Sequence, residues 1–337
     1  MRKVLITLAL AVCLADCNAS AITPFKTLDL SAFAPKATWC DGSWVLFPNT
    51  AVWIDDKNLV VWLIASCTPQ DRQKSKSLSE LVFVTTDGKA QVLQSTDTLR
   101  LARGPAGTIL VGRGATVDLM RPNLKVEQSL ECPENKVCAV FPSPTGSAKS
   151  DFALCSVFGT TEHCDFYRGL PAQLSEPRAD LATQGAGIPK DPYPNIAAAY
   201  GISTSPYSRT AWRVDDDQVW YFDKHGMLTS SQAGRSPEPV SSERWTPKDG
   251  NCTGEVAGTD PVRFLAICVG AHFYTDGDLD AIFGYSRIAL FDVASKQIVA
   301  RIDGPAYTSA TLSPDGRKIA VIHRERVKIR LRLYKTD

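Results

Sequence analysis

The chain has 337 residues, of which 44% are hydrophobic, and its 37 Lys+Arg stand against 36 Asp+Glu for a formal net charge of +1. A balance that even supplies neither the basic field that draws nucleic acid nor an acidic interaction tail. The length suits one large domain or two ordinary ones.

The opening MRKVLITLALAVCLADCNASA places Arg2 and Lys3 before an apolar run from Val4 to Leu14, with Ala19 and Ala21 flanking Ser20. This three-part pattern predicts a secretory leader, residues 1–21, because the run is too short to span a bilayer as a mature helix. A single domain over 22–337 is then the mature protein, secreted or periplasmic. Leu14-Ala15-Asp16-Cys17 resembles the box that places a lipid on a cysteine, but the residue before Cys17 should be small and Asp16 is not, so ordinary cleavage after Ala21 is the better reading. No later stretch approaches the ~20 apolar residues of a membrane helix.

From there a two-part unit recurs: a turn followed by a strand, then an apolar strand that returns through a polar turn. FKTLDLSAF (Phe25 to Phe33) reads as a single strand. VWIDDKNLVVWLI holds the turn Asp55-Asp56-Lys57-Asn58, and LVFVTTDGKAQVL is its returning partner. ARGPAGTILVGR carries Gly104-Pro105-Ala106-Gly107, followed by VDLMRPNLKVEQSL. FPSPTGSAKSDFALCSV carries Ser143 to Gly146, followed by CDFYRGLPAQL. Residues 170–208, rich in Pro, Ala and Gly, read as a long connection, and YPNIAAAYG near Tyr193 is the one short helix-like stretch. TSPYSRTAWRV supplies Ser205-Pro206, followed by VWYFDKHGMLTS. VAGTDPVRFLAICV supplies Thr259-Asp260-Pro261, followed by IALFDVASKQIVA. TLSPDGRKIAVIH supplies Ser313-Pro314-Asp315-Gly316, followed by IRLRLYKTD.

Counted at Asp55, Pro105, Pro144, Pro206, Asp260 and Pro314, the turns lie 50, 39, 62, 54 and 54 residues apart, near the ~40–50 residues of one propeller blade. A four-stranded antiparallel sheet with two apolar faces cannot bury itself alone, so copies are expected to pack face to face around an axis. The predicted fold is an all-β propeller of six or seven four-stranded antiparallel blades. Six copies are legible, and Trp39 to Asn49 is open as part of a seventh. The last copy reaches only its third strand, so the Phe25 to Phe33 segment is expected to supply the fourth and close the ring. A β-sandwich or two small β domains is the competing architecture.

Ten cysteines are present, and removal of Cys13 and Cys17 with the leader leaves eight: Cys40, Cys67, Cys132, Cys138, Cys155, Cys164, Cys252 and Cys268. An even number in an exported chain points to disulfides, with 105 pairings open in principle. Pairing each with its nearest neighbour across a turn gives Cys155–Cys164, Cys132–Cys138 and Cys252–Cys268, and Cys40–Cys67 by elimination. Zinc is disfavoured because the chain has no Cys-x-x-Cys.

At LSPDGRKIAVI the chain resembles the WD-like propellers of the TolB type, whose blades carry a Ser-Pro-Asp-Gly turn between their first two strands. Ser313 to Gly316 matches in full, the Ser143 and Ser205 copies in part, and the Gly-His and Trp-Asp signatures of eukaryotic WD repeats are missing. The resemblance covers most of the mature chain and concerns architecture. It implies a binding platform in the periplasm or outside the cell. Similar propellers accompany hydrolase domains in some peptidases, but the chain has no Gly-x-Ser-x-Gly to supply a nucleophile elbow, and no room for such a domain is expected after Asp337.

Candidate chemistry is sparse. His163, His225, His272 and His323 stand in no metal-ligating spacing and read as strand or turn residues. Asp276, Asp278 and Asp280 alternate in TDGDLD and form a calcium candidate, although Arg287 occupies the position where an EF-hand carries its bidentate Glu; no other cofactor is implied. Asp215 to Asp217 are adjacent, which suits an exposed turn. Trp39 and Trp245, near turns, are candidates for stacking on a ligand, while the other five tryptophans suit packing between blades. HRERVKIRLR reads as a strand with one solvated charged face. The function expected is an exported, non-catalytic propeller that binds a protein or glycan through loops at one mouth of its ring. The alternative is a carbohydrate-active or other hydrolytic propeller using carboxylates that face the channel.

Overall fold

The computed structural model describes residues 21–35, 43–68, 76–96, 100–123, 125–142, 151–156, 161–182, 211–215, 218–223, 225–232, 235–245, 250–270, 285–305, 307–325 and 328–336. Among them, 24 strands form six four-stranded antiparallel sheets, each in consecutive order except the last. After the short β1 (Lys26–Asp29), the first sheet takes β2 (Ser43–Trp53), β3 (Asn58–Thr68), β4 (Lys76–Thr85) and β5 (Ala90–Thr96). The second takes β6 (Arg100–Arg103), β7 (Ile109–Arg113), β8 (Thr116–Met120) and β9 (Val126–Glu131). The third takes β10 (Cys138–Pro142), β11 (Phe152–Ser156), β12 (Thr161–Arg168) and β13 (Gln173–Ala182). The fourth takes β14 (Ala211–Asp215), β15 (Gln218–Phe222), β16 (Met227–Gln232) and β17 (Glu238–Arg244). The fifth takes β18 (Gly250–Ala257), β19 (Arg263–Gly270), β20 (Tyr285–Asp292) and β21 (Gln297–Pro305). The sixth joins β22 (Tyr307–Leu312), β23 (Lys318–Glu325) and β24 (Lys328–Lys335) to β1 from the other end of the chain.

The pairing of β1 with β24 sets Lys26 opposite Leu333 and Asp29 opposite Arg330, so the Lys26–Asp29 part of FKTLDLSAF forms the fourth strand of the last sheet, while Ser31–Phe33 leaves it as a 3-10 turn rather than continuing the expected strand. Arg330 Nη1 sits 3.2 Å from Asp29 Oδ2, and Ser31 Oγ accepts from the Ile329 amide at 3.0 Å. The HRERVKIRLR run, read as one strand, is instead divided between β23 and β24; along β24 burial alternates, with Ile329, Leu331 and Leu333 inward, Arg330 and Arg332 half-buried and Lys328 exposed.

The period of two along the second strand of a sheet explains why sheets stack. In β3, Leu59, Val61 and Leu63 enter a core shared with Ala320, Ile322 and Leu331 of the sixth sheet, while Val60 and Trp62 enter one shared with Ile109 and Val111 of the second. In β19, Phe264, Ala266 and Cys268 face Trp212, Trp220 and Phe222 of the fourth sheet, while Leu265 and Ile267 face Leu312, Ile319 and Val321 of the sixth. The second and third sheets share Leu110, Leu119, Phe152 and Leu154. First and last sheets thus share a core, and the stack turns back on itself as a six-bladed propeller. Each such Val, Leu, Ile or Phe contributes roughly 1.5–3 kcal/mol when fully buried, and an isolated blade would leave one face of them in water.

Several expectations need correction. Ser43 to Asn49 is not part of a seventh blade: it is the beginning of β2, which runs without a break to Trp53. Trp39 to Gly42 lie outside the described residues, as does the Tyr193 stretch. In the fourth copy the repeat was placed one strand too early. Ala211 to Asp215 is the first strand, pairing Trp212 with Trp220, and VWYFDKHGMLTS spans strands two and three, while positions 216–217 of VDDDQ lie outside the described residues. The run after Pro171 is not all connection, since Gln173–Ala182 is the outer strand β13.

Among the described residues three disulfides are formed: Cys132–Cys138, Cys155–Cys164 and Cys252–Cys268. The latter two join residues directly opposite each other on β11/β12 and β18/β19. Cys132–Cys138 instead closes the link between the second and third sheets, around the single 3-10 turn Pro133–Asn135. Cys40 lies outside the described residues, and with it the fourth pair. Replacing Cys252 and Cys268 together by alanine opens a crosslink of sequence separation 16 and should lower stability by roughly 3 kcal/mol, measured by denaturant unfolding of a chain that keeps its β-rich circular dichroism.

Candidate functional site at the turn mouth

In the first, second, fifth and sixth sheets the first strand runs towards the turn that sequence repetition singled out. The ends of β2, β6, β18 and β22 therefore meet at one mouth of the ring. Four cross-sheet hydrogen bonds brace it. The Trp53 indole donates to the Thr311 carbonyl at 3.2 Å, linking first and sixth sheets. The Leu312 amide donates to Glu255 Oε2 at 2.8 Å, linking sixth and fifth. At turn level, the Asp315 amide donates to Asp56 Oδ1 at 2.9 Å, and the Gly258 amide to the Pro314 carbonyl at 3.0 Å.

The Ser-Pro-Asp-Gly sequence explains its own turn. Asp315 Oδ1 accepts from the Ser313 hydroxyl and the Arg317 amide, Ser313 Oγ accepts from the Lys318 amide at 2.9 Å, and the Gly316 amide closes on the Ser313 carbonyl at 2.8 Å. Burial alone would raise the Asp315 carboxyl, but these bonds and Lys318 at 3.2 Å outweigh it and hold the group below its usual range. Gly316 has φ +72°, where side chains are strained. Gly258, at φ +86°, is tighter still: a Cβ there would lie 2.2 Å from the Pro261 carbonyl oxygen. Asp55 repeats the device in the first sheet, its Oδ1 accepting from the Lys57 and Asn58 amides at 2.7 and 2.8 Å.

Inside this rim stands Glu255, a lone acid in the apolar strand CTGEVA. Its residue is partly accessible but its carboxyl points inward, and burial pushes the pKa up from the ordinary 4.5, against the Leu312 amide, the Thr311 side chain and the Arg103 guanidinium. Arg103 ends β6 in the second sheet, the blade opposite the fifth in a six-membered ring. Glu255 and Arg103 were missed from sequence because nothing in spacing says which strand faces the axis. The only signal was a charge interrupting apolar alternation.

Of the residues singled out from sequence, the structure gathers few. Asp276, Asp278, Asp280, His272 and Trp39 lie outside the described residues, and among the described ones no group of three or more His, Cys, Asp and Glu is placed to hold a metal ion. His163 sits on β12 with Nε2 2.7 Å from Glu134 Oε1, fastening the disulfide-closed turn to the third sheet. His225 lies in the β15–β16 turn, and His323 is buried in β23.

Trp245, expected to offer a ring face to a ligand, is 2% exposed. The guanidinium groups of Arg287 and Arg301 lie 5.3 and 5.5 Å from its ring centre, and Phe291 packs at 5.5 Å. Glu243 accepts from both terminal nitrogens of Arg301, at 3.0 and 2.6 Å, and that bond holds its carboxyl below the usual range. The cluster clamps the fourth sheet to the fifth. Away from the axis, Arg168, Leu170, Pro171 and Leu174 line an open groove of about 610 Å³ at the β12–β13 turn. That turn is held to the second sheet by the Gln128 amide, which donates to and accepts from Ala172 at 3.1 and 2.7 Å.

The class the fold and site define is a β-propeller, with six blades among the described residues, whose first, fifth and sixth blades are braced to one another at their first turns. No protein-family model matches the chain, and no curated protein does. Among solved structures, the Pan2 WD40 domain of Neurospora crassa is similar over 95% of this chain and 97% of that domain, at 8% identity and a TM-score of 0.40. The propeller architecture rests on the six sheets themselves. No helix of the described residues is long and apolar enough to cross a membrane.

Two outcomes follow from this geometry. The folded state holds the Glu255 proton more tightly than the unfolded chain, so this group favours folding below its unfolded pKa, a contribution lost as pH rises through the folded value. Glu255→Gln keeps an acceptor for Leu312 and carries no charge, so its melting temperature relative to wild type should climb between about pH 4 and about pH 8. Trp245→Ala should cost about 3–5 kcal/mol in denaturant unfolding.

Proposed function

We propose that this chain is an exported, non-catalytic propeller that binds a protein or glycan partner at the turn mouth. The observation that carries this reading is the bracing of the rim. Trp53, Glu255, Asp56 and Gly258 lock turns from three sheets to one another, while Asp55, Lys57, Thr259, Asp260 and Arg317 stay exposed above them. A surface held rigid before contact loses little entropy on binding, and its mixed charges suit a polar partner. Export is supported by the leader pattern of residues 1–21 and by three disulfides, which persist in oxidising compartments. The calcium candidate Asp276, Asp278 and Asp280 stays a proposal, to be checked by a calcium-dependent shift in melting temperature.

The hydrolytic alternative has one observation in its favour, the buried carboxyl of Glu255 with its raised pKa. A glycosidase needs a second carboxyl roughly 5–10 Å away, and the charged neighbour that faces Glu255 is Arg103.

The test combines a glycan array with crosslinked capture from cell-envelope extract, using residues 22–337 and a variant with Lys57→Glu, Asp260→Lys and Arg317→Glu. A partner retained by wild type and lost by the rim variant, with unfolding unchanged, is the expected result. Equal retention moves the site elsewhere, and turnover of aryl glycosides that Glu255→Gln abolishes would instead establish the enzyme.

A further inference from the structure

The stretch of chain that follows the leader does structural work at once. Ala21 forms a parallel bridge with Arg301 on β21, and the Ile22 amide donates to the Arg301 carbonyl at 3.2 Å. Ile22 packs on the core between the fifth and sixth sheets, beside Ala300 and Ile302. Three residues later the Phe25 amide donates to the Leu333 carbonyl at 2.9 Å, β1 runs along β24, and the Leu30 amide closes the pairing on Ile329 at 2.9 Å. Leu28 and Leu30 then pack on the core that the sixth sheet shares with the first. From residue 21 to residue 30 the backbone is committed to the fifth and sixth sheets.

A peptidase takes its substrate as an extended, unpaired segment on both sides of the bond it cuts, and cleavage of a folded chain waits on local opening. Resting on the reading of residues 1–21 as a leader, we propose that completion of the sixth sheet blocks leader removal, so that cleavage after Ala21 precedes ring closure. Hydrolysis adds one water across the Ala21–Ile22 bond, leaving a carboxylate on Ala21 and an ammonium on Ile22. The new terminus keeps an N–H for the Arg301 carbonyl, so the cut end docks as the uncut chain does. Cleavage thereby frees the segment from its tether at the point where the fold needs it.

The experiment uses the full chain, residues 1–337, in detergent with a purified membrane-bound leader peptidase. Cleavage is followed by intact mass for chain refolded with its disulfides formed and for chain diluted directly from denaturant. The folded chain should be cut roughly a hundred-fold more slowly, the factor set by the fraction of time the edge strand is open. Leu28→Pro removes a ladder donor and a packed side chain from β1, and should restore fast cleavage whether the variant folds or not. Equal rates for folded and diluted wild-type chain overturn the proposal. Failure to cut at Ala21–Ile22 in either form overturns the leader reading on which it rests.

Discussion

Every blade is apolar on both faces, and that single condition dictates the rest of the molecule. An antiparallel sheet in a sandwich has one wet face and alternates accordingly; here Leu59 to Leu63 and Phe264 to Cys268 are buried without a polar gap. A blade of this kind has no stable solvated state, so each needs a neighbour on either side, and a row of such blades has two unsatisfied ends until it becomes a ring. The contact between Val61 and Leu63 of the first sheet and Ile322 and Leu331 of the last is the consequence. Solvent is met at the outermost strands, where the exposed large apolar residues Val92, Val126 and Leu174 are found.

Polar groups then decide how neighbouring blades are fixed against sliding. Near the axis the fixings are backbone groups capped by side chains from the next sheet: Trp53 on Thr311, Glu255 on Leu312, and Arg100 Nε on the Cys138 carbonyl at 2.7 Å. At the periphery they are ionic and aromatic, as where Glu243, Arg301, Arg287 and Trp245 join the fourth sheet to the fifth. The inner set satisfies donors and acceptors that a free strand edge would leave to water. The outer set includes partly exposed charges, whose individual contribution is small at physiological salt.

The architecture was legible because repetition is a property of sequence. The turns at Asp55, Pro105, Asp260 and Pro314 stand where their motifs placed them, and the cross-strand cysteines sit opposite one another as hairpin arithmetic requires. The fourth copy was misread because Ser205-Pro206 copies the composition of a first turn while the apolar pairing of Trp212 with Trp220 dictates the phase; side-chain burial outranked a dipeptide. Trp245 was misread for a related reason. Proximity to a turn in sequence says nothing about Arg287 and Arg301 arriving from another sheet. Glu255 and Arg103 were silent in sequence since their meaning depends on which strand ends face the axis, a fact of ring assembly.

The sixth sheet has a topological consequence. Because β1 and β24 are antiparallel neighbours, the chain enters β1 and leaves β24 at the same end of one blade. A circular permutant that joined the two ends through a short linker and opened the chain at 183–210, between β13 and β14, would turn the sixth sheet into an uninterrupted meander. The weld that now depends on a four-residue strand would become covalent, and the point of opening would move to a join between whole blades.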